Sequence, residues 1–215
     1  MIFTSLKVSA GGGEFSFFTE IGERYTISLA DAKRLGLSEL AAEDFPVEFE
    51  DDELIIFLSS KLSAIKYGTY LLSFSDKSES ALRRKMREKD YTPEVIDEAL
   101  SVLREGGFTD DESLCLRKYL SLANSKLYGP HRIKSELFAK GFSASDIRLA
   151  EERCGIDFEE LLRELLDKLL SSSRVDFSDR NAASKFKAKL SRYGYGYETV
   201  NSVLRDYCSD DGFDD

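Results

Sequence analysis

Three segments of this chain carry one apolar pattern at nearly constant offset, and that repetition restricts the fold more than any other feature. Aligning "SALRRKMREKDYTPEVIDEALSVL" with "RIKSELFAKGFSASDIRLAEERC" and "KFKAKLSRYGYGYETVNSVLRDY" brings their apolar positions into register, with offsets of 51 and then 53 residues. Leu82, Ile133 and Phe186 correspond, as do Met86, Leu137 and Leu190, then Tyr91, Phe142 and Tyr195. Ile96, Ile147 and Val200 follow, then Ala99, Ala150 and Val203. A unit that recurs three times and cannot bury its apolar face alone folds by stacking on its neighbours.

Each copy reads as a short basic helix, a tight turn marked by an aromatic, and a second helix opened by Thr92, by Ser143 or Ser145, and by Gly196. Small polar residues there accept the unpaired amides of a first helical turn, and glycine permits the required backbone. Pro93 and Pro130 sit where helices begin, a place where the missing amide hydrogen had no partner anyway. A preceding helix completes each unit, over 61–75, 110–125 and 157–171, the last being the amphipathic "DFEELLRELLDKLL". In "GGFTDDES", Gly106 and Gly107 are expected to end one helix in the left-handed conformation, Phe108 to pack back, and Asp110 or Asp111 to cap the next. The pattern predicts a mainly α fold, three tandem three-helix repeats over 61–109, 110–156 and 157–207 forming an elongated curved array.

Residues 1–60 obey a different period. "FTSLKVSA", "EFSFFTEI" and "RYTISL" are aromatic or β-branched and partly alternating, with Gly11 to Gly13 as a turn, and "SLADAKRLGL" reads as a short helix starting near Ser28 or Asp31. A small β-rich or α+β N-terminal unit is expected, with helical period from about Asp51 onward. The tail over 208–215 is acidic; such an end is expected to solubilise without folding, or to lie transiently on basic surface as an intramolecular competitor.

Charge divides along the chain. The net charge is −10, yet residues 1–60 carry −8, residues 61–205 carry +3 and the remaining aspartates −5. The middle is the part suited to an acidic partner. Arg83, Arg84, Arg87, Arg132, Lys134, Lys140, Lys185, Lys189 and Arg192 recur around the first helix of the copies and are the candidate contacts, against the plain alternative of solvated helix faces. Cations also favour the C-terminal end of a short helix with no partner present.

Chemistry finds no foothold. Cys115, Cys154 and Cys208 have neither CxxC spacing nor a histidine at ligand distance, which excludes a zinc motif and a disulfide framework and suits a reduced cytoplasmic setting. His131 has no nucleophile or carboxylate constellation around it in the sequence, and no Walker loop, dinucleotide fingerprint, HExxH or GxSxG is present. We expect no enzyme, no catalytic residue, no cofactor and no metal. The longest apolar run, "LIIFL", is far short of the roughly 20 residues a membrane-spanning helix needs.

These residues resemble the RecX family of regulatory proteins. "YGPHRIKSELFAKGF" is similar to the family's Gly-Pro-x-Arg-Ile…Leu…Lys-Gly signature, matched by Gly129, Pro130, Arg132, Ile133, Leu137, Lys140 and Gly141. "LLSFSDKSESALRRKM" and "GGFTDDESLCLRKYL" resemble its first-repeat segment and its entry to the second repeat, so the likeness spans about 61–207. Departures are Ser75 for a usual arginine, Ala81 for a usual acid, a single cation, Lys126, before the Gly-Pro, and Tyr193-Gly194-Tyr195 for Arg-Gly-Phe. The resemblance implies a monomeric, non-enzymatic inhibitor of the recombinase RecA in recombination, DNA repair and the SOS response, lying in the groove of the RecA–DNA filament. The alternative is an autonomous nucleic-acid-binding helical repeat protein that takes single- or double-stranded DNA directly, with steep salt dependence.

Overall fold

The computed structural model describes residues 1–171 and 175–210, the last three by their backbone alone. The chain falls into two compact units, Met1–Thr109 and Asp110–Asp215. The acidic end expected over 208–215 lies largely outside the described residues.

The first unit opens with an antiparallel sheet. β1 (Ile2–Val8), β2 (Glu14–Thr19) and β3 (Arg24–Ser28) are joined by a two-residue strand, β4 (Val47–Glu48), in the order β3-β2-β1-β4. Alternation in β2 buries Phe15, Phe17 and Thr19 on one face. Phe3, Ile27, Ala32 and Leu37 join them beneath the helix that follows. α1 (Leu29–Arg34) starts at Ser28, whose hydroxyl accepts the Asp31 amide. Two short 3-10 turns, Leu37–Glu39 and Ala42–Asp44, and β4 lie where the sequence showed no period.

α2 (Asp52–Phe74) begins at Asp51, which caps it, and runs unbroken for 23 residues across position 60. The helical period expected from about Asp51 matches this start, while the boundary expected at residue 60 falls inside the helix. Its first half gives Ile55 and Leu58 to the sheet core, and its second half gives Ala64 to the core of α3 (Glu79–Arg87) and α4 (Pro93–Glu105). Gly68 lets α2 approach these helices, because a Cβ there would stand 2.5 Å from Leu103 Cδ1 and 2.9 Å from Met86 Cε. Asp31 fastens the arrangement: Lys61 Nζ lies 3.2 Å and 3.3 Å from its two carboxylate oxygens, and Ser28 Oγ donates to it at 2.8 Å.

The second unit holds α5 (Asp111–Lys126), α6 (Pro130–Ala139), α7 (Ala144–Arg153), α8 (Phe158–Leu170), α9 (Arg180–Tyr193) and α10 (Tyr197–Asp210) around one core. All the aligned apolar positions of the three copies are buried except Tyr91, which is half-buried, its hydroxyl 2.8 Å from Ser63 Oγ. The turn between basic and second helix is left-handed in every copy, at Asp90, Gly141 and Gly194. Thr92 and Ser143 cap α4 and α7 through their hydroxyls, and Gly196 precedes α10. Ser143, rather than Ser145, is the cap. Asp110, not Asp111, caps α5, accepting the amide and hydroxyl of Ser113. Of the glycine pair only Gly107 is left-handed. Phe108 is 56% exposed, lying across Gly106 instead of entering the core.

Two buried tyrosines give a prediction of opposite signs. Burial raises both phenols above their usual range, but Tyr195 Oη donates to the Leu127 carbonyl at 3.2 Å whereas Tyr119 Oη has no partner among the described residues. Tyr195→Phe is expected to cost about 1 kcal/mol by orphaning a carbonyl, and Tyr119→Phe to be neutral or stabilising by about 1 kcal/mol. Urea titration followed by circular dichroism reads both.

Candidate partner-binding surface

The register shows which cations hold the repeats together and which face outward. All three copies carry a cation at one aligned position only, directly after the first buried residue: Arg83, Lys134 and Lys187. A side chain flanking the core there reaches the next helix, and each one does. Arg83 pairs with Asp97, Lys134 Nζ lies 2.8 Å from Glu151 Oε2, and Lys187 donates to Asn201 Oδ1 at 2.7 Å. Asp97 and Asn201 are aligned; the second copy has Arg148 there, so Lys134 reaches further along α7 to Glu151. Partly exposed pairs of this kind contribute about 0.2–1 kcal/mol each and chiefly orient the helices.

The Gly-Pro segment has a definite task inside the second unit. A helix leaves its last carbonyls unpaired and carries partial negative charge at that end; a helix start has unpaired amides and partial positive charge. Here the start of α6 meets the end of α9. Gly129 N–H donates to the Tyr193 carbonyl at 2.8 Å and His131 N–H to that of Gly194 at 3.1 Å. Pro130, which has no N–H, stands between these donors. Arg132 Nη1 donates to the Arg192 carbonyl at 3.0 Å while its guanidinium covers the Tyr128 ring at 4.0 Å. Tyr128 in turn meets Tyr193 edge to face at 6.1 Å.

Neither glycine at this crossing can carry a side chain without moving main chain. A Cβ on Gly129 would lie 2.5 Å from the carbonyl of Gly194, and one on Gly194 2.4 Å from the Arg132 amide nitrogen. Leu127, held left-handed at φ 54°, has its carbonyl taken by Tyr195 Oη, which helps the strained residue persist. The joint therefore unites the second and third copies. Tyr128 and Gly194 stand in the two segments compared with the family pattern but were not among the candidate contacts; the aromatics bracketing both glycines were the available signal.

Four of the remaining candidates stand apart from such contacts. Arg84 and Arg87 are exposed on α3, Lys185 is exposed and Lys189 half-buried on α9, and none of the four has a carboxylate within 4 Å among the described residues. Lys140 is exposed at the end of α6, and exposed Arg192 turns its Nε back to the Ala188 carbonyl at 3.3 Å. His131 is exposed, and its contribution to the joint is its backbone amide. Among the described residues no three His, Cys, Asp or Glu side chains cluster as metal ligands, and burial pushes the Cys115 thiol up to about 11. No helix among them is long and apolar enough to cross a membrane.

Comparison with known proteins places this geometry. Residues 64–103 match the family model described as RecX, first three-helix domain. The regulatory protein RecX of Pseudomonas savastanoi pv. phaseolicola is 32% identical over 157 residues, covering 73% of this chain and 99% of that protein. That of Pseudomonas fluorescens Pf-5 is 35% identical over 142 residues, covering 66% and 89%. A crystal structure of regulatory protein RecX superimposes with a TM-score of 0.75 at 20% identity, covering 95% of this chain and all of the other. RecX from Lactobacillus salivarius gives 0.59 at 22% identity, covering 68% and 96%. The two structures share the fold, and the sequence relatives, one of them matched almost end to end, make this chain a member of the RecX family of regulatory proteins.

Proposed function

We propose that this chain regulates RecA in the cytoplasm by binding, as a monomer, in the groove of the RecA–DNA filament and inhibiting strand exchange and ATP turnover. The observation that carries the reading is the near end-to-end match to a regulatory protein RecX at 32% identity. The repeats over 61–109, 110–156 and 157–207 are the units that contact successive protomers, so individually weak contacts multiply through effective concentration. Within the candidate set, Arg84, Arg87, Lys185 and Lys189 supply the charge that meets acidic protein surface or filament phosphate, while Arg83, Arg132 and Lys134 keep the helices in place for them.

RecA ATPase and strand exchange, measured with increasing amounts of this protein, test the reading. Inhibition at micromolar protein is expected, and reversing the four outward charges to glutamate raises the inhibitory concentration by roughly 10-fold or more, on the scale of rim charges that steer association. Absence of both inhibition and filament binding at micromolar protein overturns it.

A further inference from the structure

One face of α2 combines two features that the repeat cations lack. At its upstream end, Arg24, Thr26, Ser59, Ser63 and Lys66 line a pocket of about 320 Å³ between β3 and α2. Ser59 Oγ accepts the Thr26 amide at 3.0 Å, so its own hydrogen remains to donate. Lys66 holds Glu14 at 2.6 Å, whereas Arg24 has no carboxylate within 4 Å among the described residues. A guanidinium among hydroxyls is a site for an anion.

Further along the same face, at the i+4 spacing from Lys66 that places side chains one above another, come Tyr70 and Phe74. They are 58% and 69% exposed, with ring centroids 4.9 Å apart. Beside them Lys89 Nζ lies 6.0 Å over the Tyr67 ring. The two outer rings meet edge to face and are otherwise largely open to solvent, and such rings offer planar surfaces at a fixed distance from the pocket. An anion site followed by open aromatic faces matches a single-stranded nucleic acid, whose phosphates and unstacked bases follow one another along the strand. A duplex keeps its base faces stacked inside.

We propose that this face of α2 binds single-stranded nucleic acid, with a phosphate in the Arg24 pocket and bases on Tyr70 and Phe74. The site is built from β3 and α2 rather than from the outward cations Arg84, Arg87, Lys185 and Lys189, and needs no recombinase. The surrounding acidic residues keep affinity in the non-specific range, a dissociation constant of roughly 1–100 micromolar.

Fluorescence anisotropy of a labelled oligodeoxythymidylate with the full chain tests it. The Tyr70→Ala/Phe74→Ala pair is expected to weaken binding roughly 10-fold or more, and Tyr70→Phe to keep it, because stacking needs the ring and not the hydroxyl. Arg24→Ala is expected to lower the slope of log affinity against log salt by about 0.7, one phosphate contact on a single strand. A duplex of the same length is expected to bind more weakly. Unchanged circular dichroism melting keeps these variants interpretable, since all three side chains are exposed. Wild-type binding by both the aromatic pair and the Arg24 variant overturns the proposal, as does a duplex bound equally well. So does an aromatic pair that loses only RecA inhibition, which marks the surface as protein-binding. Anisotropy without RecA and inhibition of RecA are separate readouts, so failure of either reading is recognisable.

Discussion

Gly194→Ala is expected to unfasten the start of α6 from the end of α9 and to destabilise the second unit by roughly 3–5 kcal/mol. Two costs combine. Gly194 has φ 97°, a left-handed conformation that costs an alanine about 1 kcal/mol. Its Cβ would also fall 2.4 Å from the Arg132 amide nitrogen, an atom of the main chain that no rotamer change can move aside. Relief requires the two segments to separate, which gives up the hydrogen bonds donated by the Gly129 and His131 amides, at about 1 kcal/mol each, and exposes their packing. Gly155→Ala is the control, because that residue is also left-handed, at φ 62°, with open space around it, and is expected to cost only about 1 kcal/mol. Hydrogen exchange distinguishes them: the amides of Gly129 and His131 lose protection in the first variant and keep it in the second. Equal costs at the two glycines would show that the close crossing carries no energy.

Asp31→Ala is expected to lower the stability of the first unit by about 2–4 kcal/mol. Asp31 and Lys61 retain 11% and 14% side-chain exposure, so removing the carboxylate leaves an ammonium group in a poorly solvated place. It also removes the acceptor for Ser28 Oγ at the start of α1. The double variant Asp31→Leu/Lys61→Met is expected to recover much of the loss, since a nearly buried pair replaced by apolar residues of similar volume is often neutral. Urea unfolding of both variants, with hydrogen exchange over α1 and α2, separates an uncompensated charge from a simple loss of packing.

Sequence period reveals which side of a helix is dry, and this is why Leu82, Met86, Ile133, Leu137, Phe186 and Leu190 could be placed in the core from their spacing. Caps were legible for the same local reason: Thr92 and Ser143 bond amides three residues away. The joint at Gly129 depends instead on segments about 60 residues apart, and no local pattern records that the guanidinium of Arg132 turns to the Arg192 carbonyl. Arg83 and Lys134 read as surface charge, but their partners, Asp97 and Glu151, sit on the following helix, where helix-to-helix geometry decides the pairing. The onset of α2 was legible at Asp51, but its continuity across position 60 was not. Its apolar residues serve the sheet in one half and the helices in the other, so no single stripe runs along it.

That shared helix makes the N-terminal sheet a poor cassette. A chain cut at residue 61 would keep the turns of α2 that meet Met86 and Leu103 but lose the Asp51 cap and the turns bearing Ile55 and Leu58. The sheet portion left behind would cover Phe3, Phe17 and Ile27 only with α1 and the severed first turns of α2, too short a piece to hold a helix by itself. A chimera that takes this portion from another protein is therefore expected to fold only with the whole of α2 attached.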